Sequence, residues 1–174
     1  MESNRPPLAV LAALLVVWWL HVRHFLGRLP ERIATHFDGA GAPNGWMSRA
    51  ALGTFDFAFL VFVLGVVIGS GFLLRFLPVR MINVPHRDYW FAPERRRQSH
   101  ARMFAHMLWF ACLMVAFLIA VNQLVYLANL RPGQPQLPTA GFVTVLVGFL
   151  VAVVGWAIRL YRMFPRPATS PPRS

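Results

Sequence analysis

The sequence predicts an all-α integral membrane protein with four transmembrane helices and a folded outer loop between helices 1 and 2. Hydrophobic residues make up 57% of the 174 residues and charged residues only 13%, whereas soluble domains carry about 25% charged residues. All 17 basic residues are arginines, and they lie between long apolar stretches. A nucleic-acid binder needs a water-exposed basic face, so we expect the arginines to contact membrane lipids and expect no nucleic-acid partner.

Four stretches almost free of charge define the helices. Each is long enough to cross about 30 Å of hydrocarbon at about 1.5 Å per helical residue. We expect spans at about residues 8–26, 52–77, 103–127 and 141–160, in a single membrane domain of residues 1–164. Residues 165–174 are rich in proline and are expected to form a disordered tail.

The first stretch has an alternative interpretation as a cleaved signal peptide, which would leave three spans. A signal peptidase requires small residues after the apolar core, but Trp18, Trp19 and Phe25 are bulky. We therefore expect four spans.

The distribution of arginine predicts the orientation. Twelve arginines lie on the side of the two termini and of the loop between spans two and three, and five lie on the other side. Because cytoplasmic loops carry the excess of positive charge, both termini are expected to be cytoplasmic. We expect a multi-pass protein of the bacterial inner membrane.

The outer loop between spans one and two has the composition of a folded segment. Pro30 is suited to begin a short helical turn. Asp38-Gly39 and Asn44-Gly45 are turn dipeptides, so the chain is expected to double back twice. Trp46 is suited to the level of the lipid headgroups.

This loop also carries a motif, Leu-Pro-x-x-Ile-x-x-His-Phe-x-x-x-Gly-x-x-x-Gly-Trp, formed by Leu29, Pro30, Ile33, His36, Phe37, Gly41, Gly45 and Trp46. After a first membrane helix, this pattern resembles the family called domain of unknown function 1648, whose best-known member is the SdpI immunity protein. The stretch from Asn83 to Arg96 also resembles short, four-span members of the family. We expect this chain to differ from the immunity protein in lacking its additional C-terminal membrane domain. The resemblance implies a small bacterial membrane protein and supplies no established catalytic residue.

We therefore expect a non-enzymatic protein that binds a peptide, a toxin or a membrane-protein partner in an immunity-like or signalling-like role. The partner-binding residues are expected in the outer loop: His36, Phe37, Asp38, Gly41, Gly45 and Trp46. An accessory subunit of a transporter is an alternative. The sequence leaves the oligomeric state open.

The inner loop combines aromatic residues with a cluster of arginines. We expect an anionic-headgroup surface formed by Arg87, Tyr89, Trp90, Arg95, Arg96 and Arg97. An interfacial helix with an aromatic belt explains the same residues without a specific ligand. A membrane enzyme acting on phosphate-bearing substrates is a further alternative, with His86, Asp88, Glu94 and His100 at its site.

Three further expectations concern an ion pair within the membrane, a candidate metal site and the packing of the helices. Asp56 and Arg23 lie at similar depth and are expected to form an intramembrane pair, because opposite charges lower each other's desolvation cost. His36 and Asp38 could contribute to a metal site together with His21 and His24 near the same membrane face, but a site needs more ligands. A hydrogen-bonded structural histidine is the preferred interpretation, and we expect no metal and no cofactor. Small residues favour close helix packing in two of the spans. They are Gly65, Gly69 and Gly71 in the second span, and Gly148, Ala152 and Gly155 in the fourth.

Overall fold

The computed structural model describes residues 4–167 and contains four helices long and apolar enough to cross a membrane. They are α1 (Arg5–Leu26), α2 (Arg49–Leu73), α4 (Pro93–Leu130) and α5 (Thr139–Arg162). A helix pairs its backbone N–H and C=O groups internally, and this is required in a bilayer because hydrocarbon offers no hydrogen-bond partners. The predicted class of a four-helix membrane protein is confirmed.

The longest helix, α4, is the centre of the bundle, because α1, α2 and α5 each pack against it. Its residues Leu108 and Val115 are buried against Leu11 of α1 and Leu60 of α2. Helix α5 contributes no buried residue, so its surface beyond the α4 contact is left for lipid.

Of the glycines expected to allow close packing, Gly71 lies against a neighbouring helix. An ideal Cβ on Gly71 would lie 3.0 Å from the Cβ of Met107, so α2 and α4 are in close contact there. Cβ atoms on Gly65, Gly69, Gly148 and Gly155 would meet no atom within 4 Å in the described part of the chain. The expected packing role of these four glycines is therefore wrong, because they lie on faces directed away from the neighbouring helices.

The loop between α1 and α2 folds as an antiparallel hairpin of β1 (Arg32–Phe37) and β2 (Pro43–Ser48). Asp38-Gly39 lies in its turn, as predicted. The second predicted turn is wrong, since Asn44 and Gly45 lie within β2, and Pro30 begins no helical turn. The hairpin and the connection of residues 131–138 lie at the same end of the bundle, which we call the hairpin side.

The opposite end, the arginine side, holds the start of α1, the end of α5 and the connection between α2 and α4. That connection contains 3₁₀ turns at Leu74–Phe76 and Val79–Met81 and the short helix α3 (Arg87–Trp90). Ile82, Phe91 and Phe164 form a small buried cluster that joins the connection to the residues after α5. Of the expected disordered tail, residues 165–167 have no regular structure and residues 168–174 lie outside the described residues.

Candidate functional site

The hairpin turn is closed by Asp38. Its Oδ1 accepts hydrogen bonds from the backbone N–H groups of Ala40 and Ala42, each at 2.9 Å. Gly41 adopts a φ of +84°, a left-handed conformation that favours glycine. The carbonyl of Gly41 accepts a hydrogen bond of 3.0 Å from the N–H of Leu137, which attaches the turn to the α4–α5 connection.

Gly45 makes room for the His36 ring on the neighbouring strand. The two residues are paired across the hairpin. An ideal Cβ on Gly45 would lie 2.9 Å from both Cβ and Cδ2 of His36, which is tighter than atoms in well-packed structures tolerate. The glycine is thus needed for close approach rather than for a turn.

Asn129, near the end of α4, forms hydrogen bonds with the edge of β1 that does not face β2. Its Oδ1 accepts from the N–H of Ala34 at 2.8 Å, and its Nδ2 donates to the carbonyl of Ala34 at 2.9 Å. Nδ2 also donates to the carbonyl of Val125 at 2.8 Å. Ala34 and Ile33 are fully buried, so the amide satisfies backbone groups that water does not reach.

A buried polar cluster lies directly below the hairpin. The Tyr126 hydroxyl donates to Oδ2 of Asp56, whose residue is 8% exposed. The His21 ring stacks on Tyr126 with centroids 5.4 Å apart, and its Nε2 is 2.7 Å from Oε1 of Gln123. Three helices therefore contribute polar side chains to one site at the hairpin side.

The predicted pair of Arg23 and Asp56 is wrong. Among residues 4–167, the ion pairs join Arg49 to Glu31 and Arg87 to Asp88. The exposed Arg23 guanidinium lies 5.7 Å from the centroid of the Trp19 ring, while Asp56 is directed toward α4. Similar depth along two helices does not fix which way each side chain points around its helix axis.

Two cavities lie beside the hairpin, and the first adjoins this cluster through Asp56. The first, between α2 and α4, has about 230 Å³ and is lined by Asp56, Asn122, Thr35 and His36 together with apolar residues. The second, between the hairpin, α4 and α5, has about 480 Å³ and is lined by Phe37, Asp38, Leu137 and Phe142. Thr35, His36, Val121 and Val125 line both. Apolar walls with a few convergent polar groups are typical of ligand sites.

The expected partner-binding residues divide into three groups in the structure. His36, Phe37 and Asp38 line the cavities. Gly41 and Gly45 shape the hairpin. Trp46 is 40% exposed and lies under the Arg32 guanidinium, 5.0 Å from its ring centroid, and it lines neither cavity.

Sequence reasoning did not identify Thr35, Tyr126 or Asn129 as site residues. Asn122, Tyr126 and Asn129 are spaced four and three residues apart in α4. This spacing places all three on one face of the helix. Polar residues at this spacing near the end of an apolar helix are the feature of the sequence that could have indicated the site.

Most of the expected headgroup residues are bonded to nearby groups of the protein at the arginine side. The Arg95 guanidinium lies 3.9 Å from the Tyr89 ring centroid and its Nε donates to the Tyr89 carbonyl at 2.8 Å. The Trp90 indole N–H donates to the carbonyl of Pro165 at 3.0 Å, and Arg87 donates to the carbonyl of Arg80 at 2.8 Å. Arg96 donates to His100 at 3.3 Å, whereas Arg97 is exposed.

The residues of the alternative enzyme site lie apart in the structure. His86 and Glu94 are exposed, Asp88 pairs with Arg87 at 3.8 Å, and the ring of His100 packs edge-on against Phe91. Within residues 4–167, no group of three or more His, Cys, Asp or Glu side chains is placed to hold a metal ion.

Comparison with known proteins identifies the segment that carries the hairpin. Residues 8–62 match the family model described as Domain of unknown function (DUF1648). They extend from α1 through the hairpin to Asp56 and the middle of α2. No curated protein and no solved structure matches the chain. The resemblance drawn from the loop motif is confirmed over this segment: residues 8–62 of this four-helix membrane protein are similar to the DUF1648 family.

Proposed function

We propose that this protein is a non-enzymatic membrane binding protein that captures an apolar peptide carrying a basic group. The peptide is free, or is a segment of a toxin or of another membrane protein. The observation that carries the proposal is Asp56, a carboxylate in the wall of a mostly apolar cavity. It accepts a hydrogen bond from the Tyr126 hydroxyl and takes part in none of the ion pairs found among residues 4–167.

The chemistry of the cavity defines the ligand. A carboxylate at membrane depth is costly unless a partner compensates it, and a lysine, arginine or amino-terminal group of a ligand would do so. Phe55, Phe59 and Leu118 offer apolar walls beside it. The Thr35 hydroxyl is buried and has no hydrogen-bond partner in the described chain, so it is available to a peptide backbone group.

The proposed direction of access follows from the arginine distribution. We place the protein in the bacterial inner membrane with both termini in the cytoplasm, so that the hairpin side faces outward. A ligand then reaches the cavities from outside the cell. Such an arrangement suits an immunity-like or signalling-like role.

The experiment is a selection of random heptapeptides on the full-length protein in lipid nanodiscs. Val121 lines both cavities, and Val121→Trp is expected to fill them and abolish enrichment. Val147→Trp is the matched control, because Val147 is 52% exposed on α5 and lines neither cavity. Enriched peptides are expected to combine a basic group with aromatic or aliphatic side chains.

Asp56→Asn separates charge recognition from shape. The amide still accepts the Tyr126 hydrogen bond, but it no longer attracts a cation. Basic peptides are expected to bind at least about tenfold more weakly, equivalent to about 1.4 kcal/mol, while neutral peptides bind unchanged. Enrichment that survives Val121→Trp would refute the site, and cleavage of bound peptides, detected as a change in their mass, would refute a non-enzymatic role.

A further inference from the structure

A third cavity, at the arginine side, belongs to neither the hairpin site nor the inner loop. It has about 270 Å³ and lies between the start of α1, the first half of α4 and the end of α5. Pro6, Pro7, Ala105, Trp109 and Met163 form its apolar walls. The carbonyl of Pro7 is 3.5 Å from the Cys112 thiol of α4, which holds the α1 wall in place.

Two guanidinium groups from different helices border this cavity. Arg102 of α4 and Arg159 of α5 both line it, and its lining contains no carboxylate. Neither arginine takes part in the ion pairs found among residues 4–167. Arg102 is half-buried and Arg159 is exposed. Like charges that line one cavity repel each other, and an anion between them offsets this repulsion, so the arrangement favours an anionic ligand.

His106 adds a buried polar group to the same wall. It lies four residues after Arg102 and therefore on the same face of α4. It is 3% exposed, and its ring stacks on Trp156 of α5 with centroids 4.4 Å apart. Its Nε2 has no hydrogen-bond partner in the described part of the chain, and such a buried polar atom normally has one.

The depth of the cavity indicates the source of the anion. Arg102 directly precedes the uncharged residues 103–130, and Arg159 directly follows the uncharged residues 132–158. Both guanidiniums thus lie where the apolar spans end, which is the level of lipid phosphates. The apolar walls beside them suit the first part of an acyl chain.

We propose that this cavity binds the phosphate group of an anionic ligand between Arg102 and Arg159, with His106 as an additional hydrogen-bonding group. Arginine suits this role because its planar group binds phosphate oxygens through two hydrogen bonds. The site is distinct from arginines 95–97 of the inner loop, of which Arg97 is exposed and Arg95 and Arg96 are half-buried. The location favours a phospholipid headgroup, and a soluble phosphate is the other source of the same chemistry.

The test is native mass spectrometry of the full-length protein in mild detergent. Phosphatidylglycerol, phosphatidylcholine with the same acyl chains, and inorganic phosphate are titrated separately. We expect one phosphatidylglycerol per chain, bound at least fivefold more tightly than phosphatidylcholine. In Arg102→Gln/Arg159→Gln, this affinity is expected to fall at least tenfold.

The matched control is Arg95→Gln/Arg97→Gln, which removes the same charge outside the cavity and is expected to change the affinity less than twofold. Arg102→Lys/Arg159→Lys keeps the charge and is expected to fold and to bind with intermediate affinity. His106→Phe preserves the stack on Trp156 and removes Nε2, so we expect a threefold to tenfold loss.

A second outcome would support the site with a soluble ligand. In it, inorganic phosphate binds with the same dependence on Arg102 and Arg159, and phosphatidylglycerol is not selectively retained. An equal loss in the control variant would overturn the proposal in favour of general surface attraction. Absence of one-to-one binding by any of the three probes would also overturn it.

Discussion

The side-chain amide of Asn129 pairs with both backbone groups of Ala34, so that one residue of α4 occupies the place of a neighbouring strand beside β1. The hairpin is thereby fixed to the helix that organises the whole bundle. This contact sets the height of the hairpin above Asp56 and Tyr126 and so determines the shape of the cavities beneath it.

Asn129→Ala is expected to destabilise the protein by about 2–4 kcal/mol, because the buried N–H and carbonyl of Ala34 lose their partner and each such loss costs about 1–3 kcal/mol. Denaturant unfolding in detergent measures this. Gln134→Ala, in the exposed α4–α5 connection, is the control and should change stability by less than about 0.5 kcal/mol. Equal effects of the two substitutions would contradict a role of Asn129 in holding the hairpin.

Gly45→Ala and Gly65→Ala are expected to have opposite effects. A Cβ at Gly45 would press on the His36 ring, whereas a Cβ at Gly65 meets no described atom within 4 Å. We expect Gly45→Ala to cost about 1–3 kcal/mol through overpacking and Gly65→Ala to add about 0.5–1 kcal/mol of helix stability. Thermal unfolding in detergent compares them, and a destabilising Gly65→Ala would indicate that Gly65 contacts another helix after all.

Tyr126→Phe is expected to lower stability by about 1.5–3 kcal/mol, because it removes the hydroxyl that donates to Asp56 and hydrogen bonds to charged groups are worth about that much. Arg23→Gln should change stability by less than about 0.5 kcal/mol, since Arg23 is exposed and lies on Trp19. The charge exchange Arg23→Asp/Asp56→Arg is the decisive measurement. If Arg23→Asp and Asp56→Arg each lowered the folded yield and the exchange restored it to that of the wild type, the two residues would be ion-pair partners, in contradiction to the structure.

The orientation is tested by labelling single cysteines in intact cells with a membrane-impermeant maleimide. Asn44 on the hairpin and Gln98 at the arginine side are both exposed, and the native Cys112 is buried. We expect Asn44→Cys to be labelled in intact cells and Gln98→Cys only after permeabilisation, because arginine-rich loops remain in the cytoplasm. The reverse pattern would invert the proposed topology and move the peptide site to the cytoplasmic face.

Some local features were predictable because a single residue type specifies them. Pro93 marks the beginning of α4, since proline is tolerated only in the first turn of a helix. Asp38-Gly39 marks the hairpin turn because aspartate accepts the backbone N–H groups of the turn. Asn44-Gly45 has the same local composition but lies in a strand, where the His36 ring across the hairpin requires the glycine. That requirement comes from the partner strand and has no local signal.

The amino-acid sequence by itself determined that this chain forms four apolar helices with a folded loop after the first, because hydropathy over about 20 residues decides which solvent a segment prefers. The tertiary structure alone decided that Asp56 bonds to Tyr126, that Asn129 holds the hairpin, and that Arg102 and Arg159 border one cavity. These contacts depend on how each helix is rotated about its axis against α4. The rotation is set by packing among helices, and a hydropathy profile that is apolar on every side does not specify it.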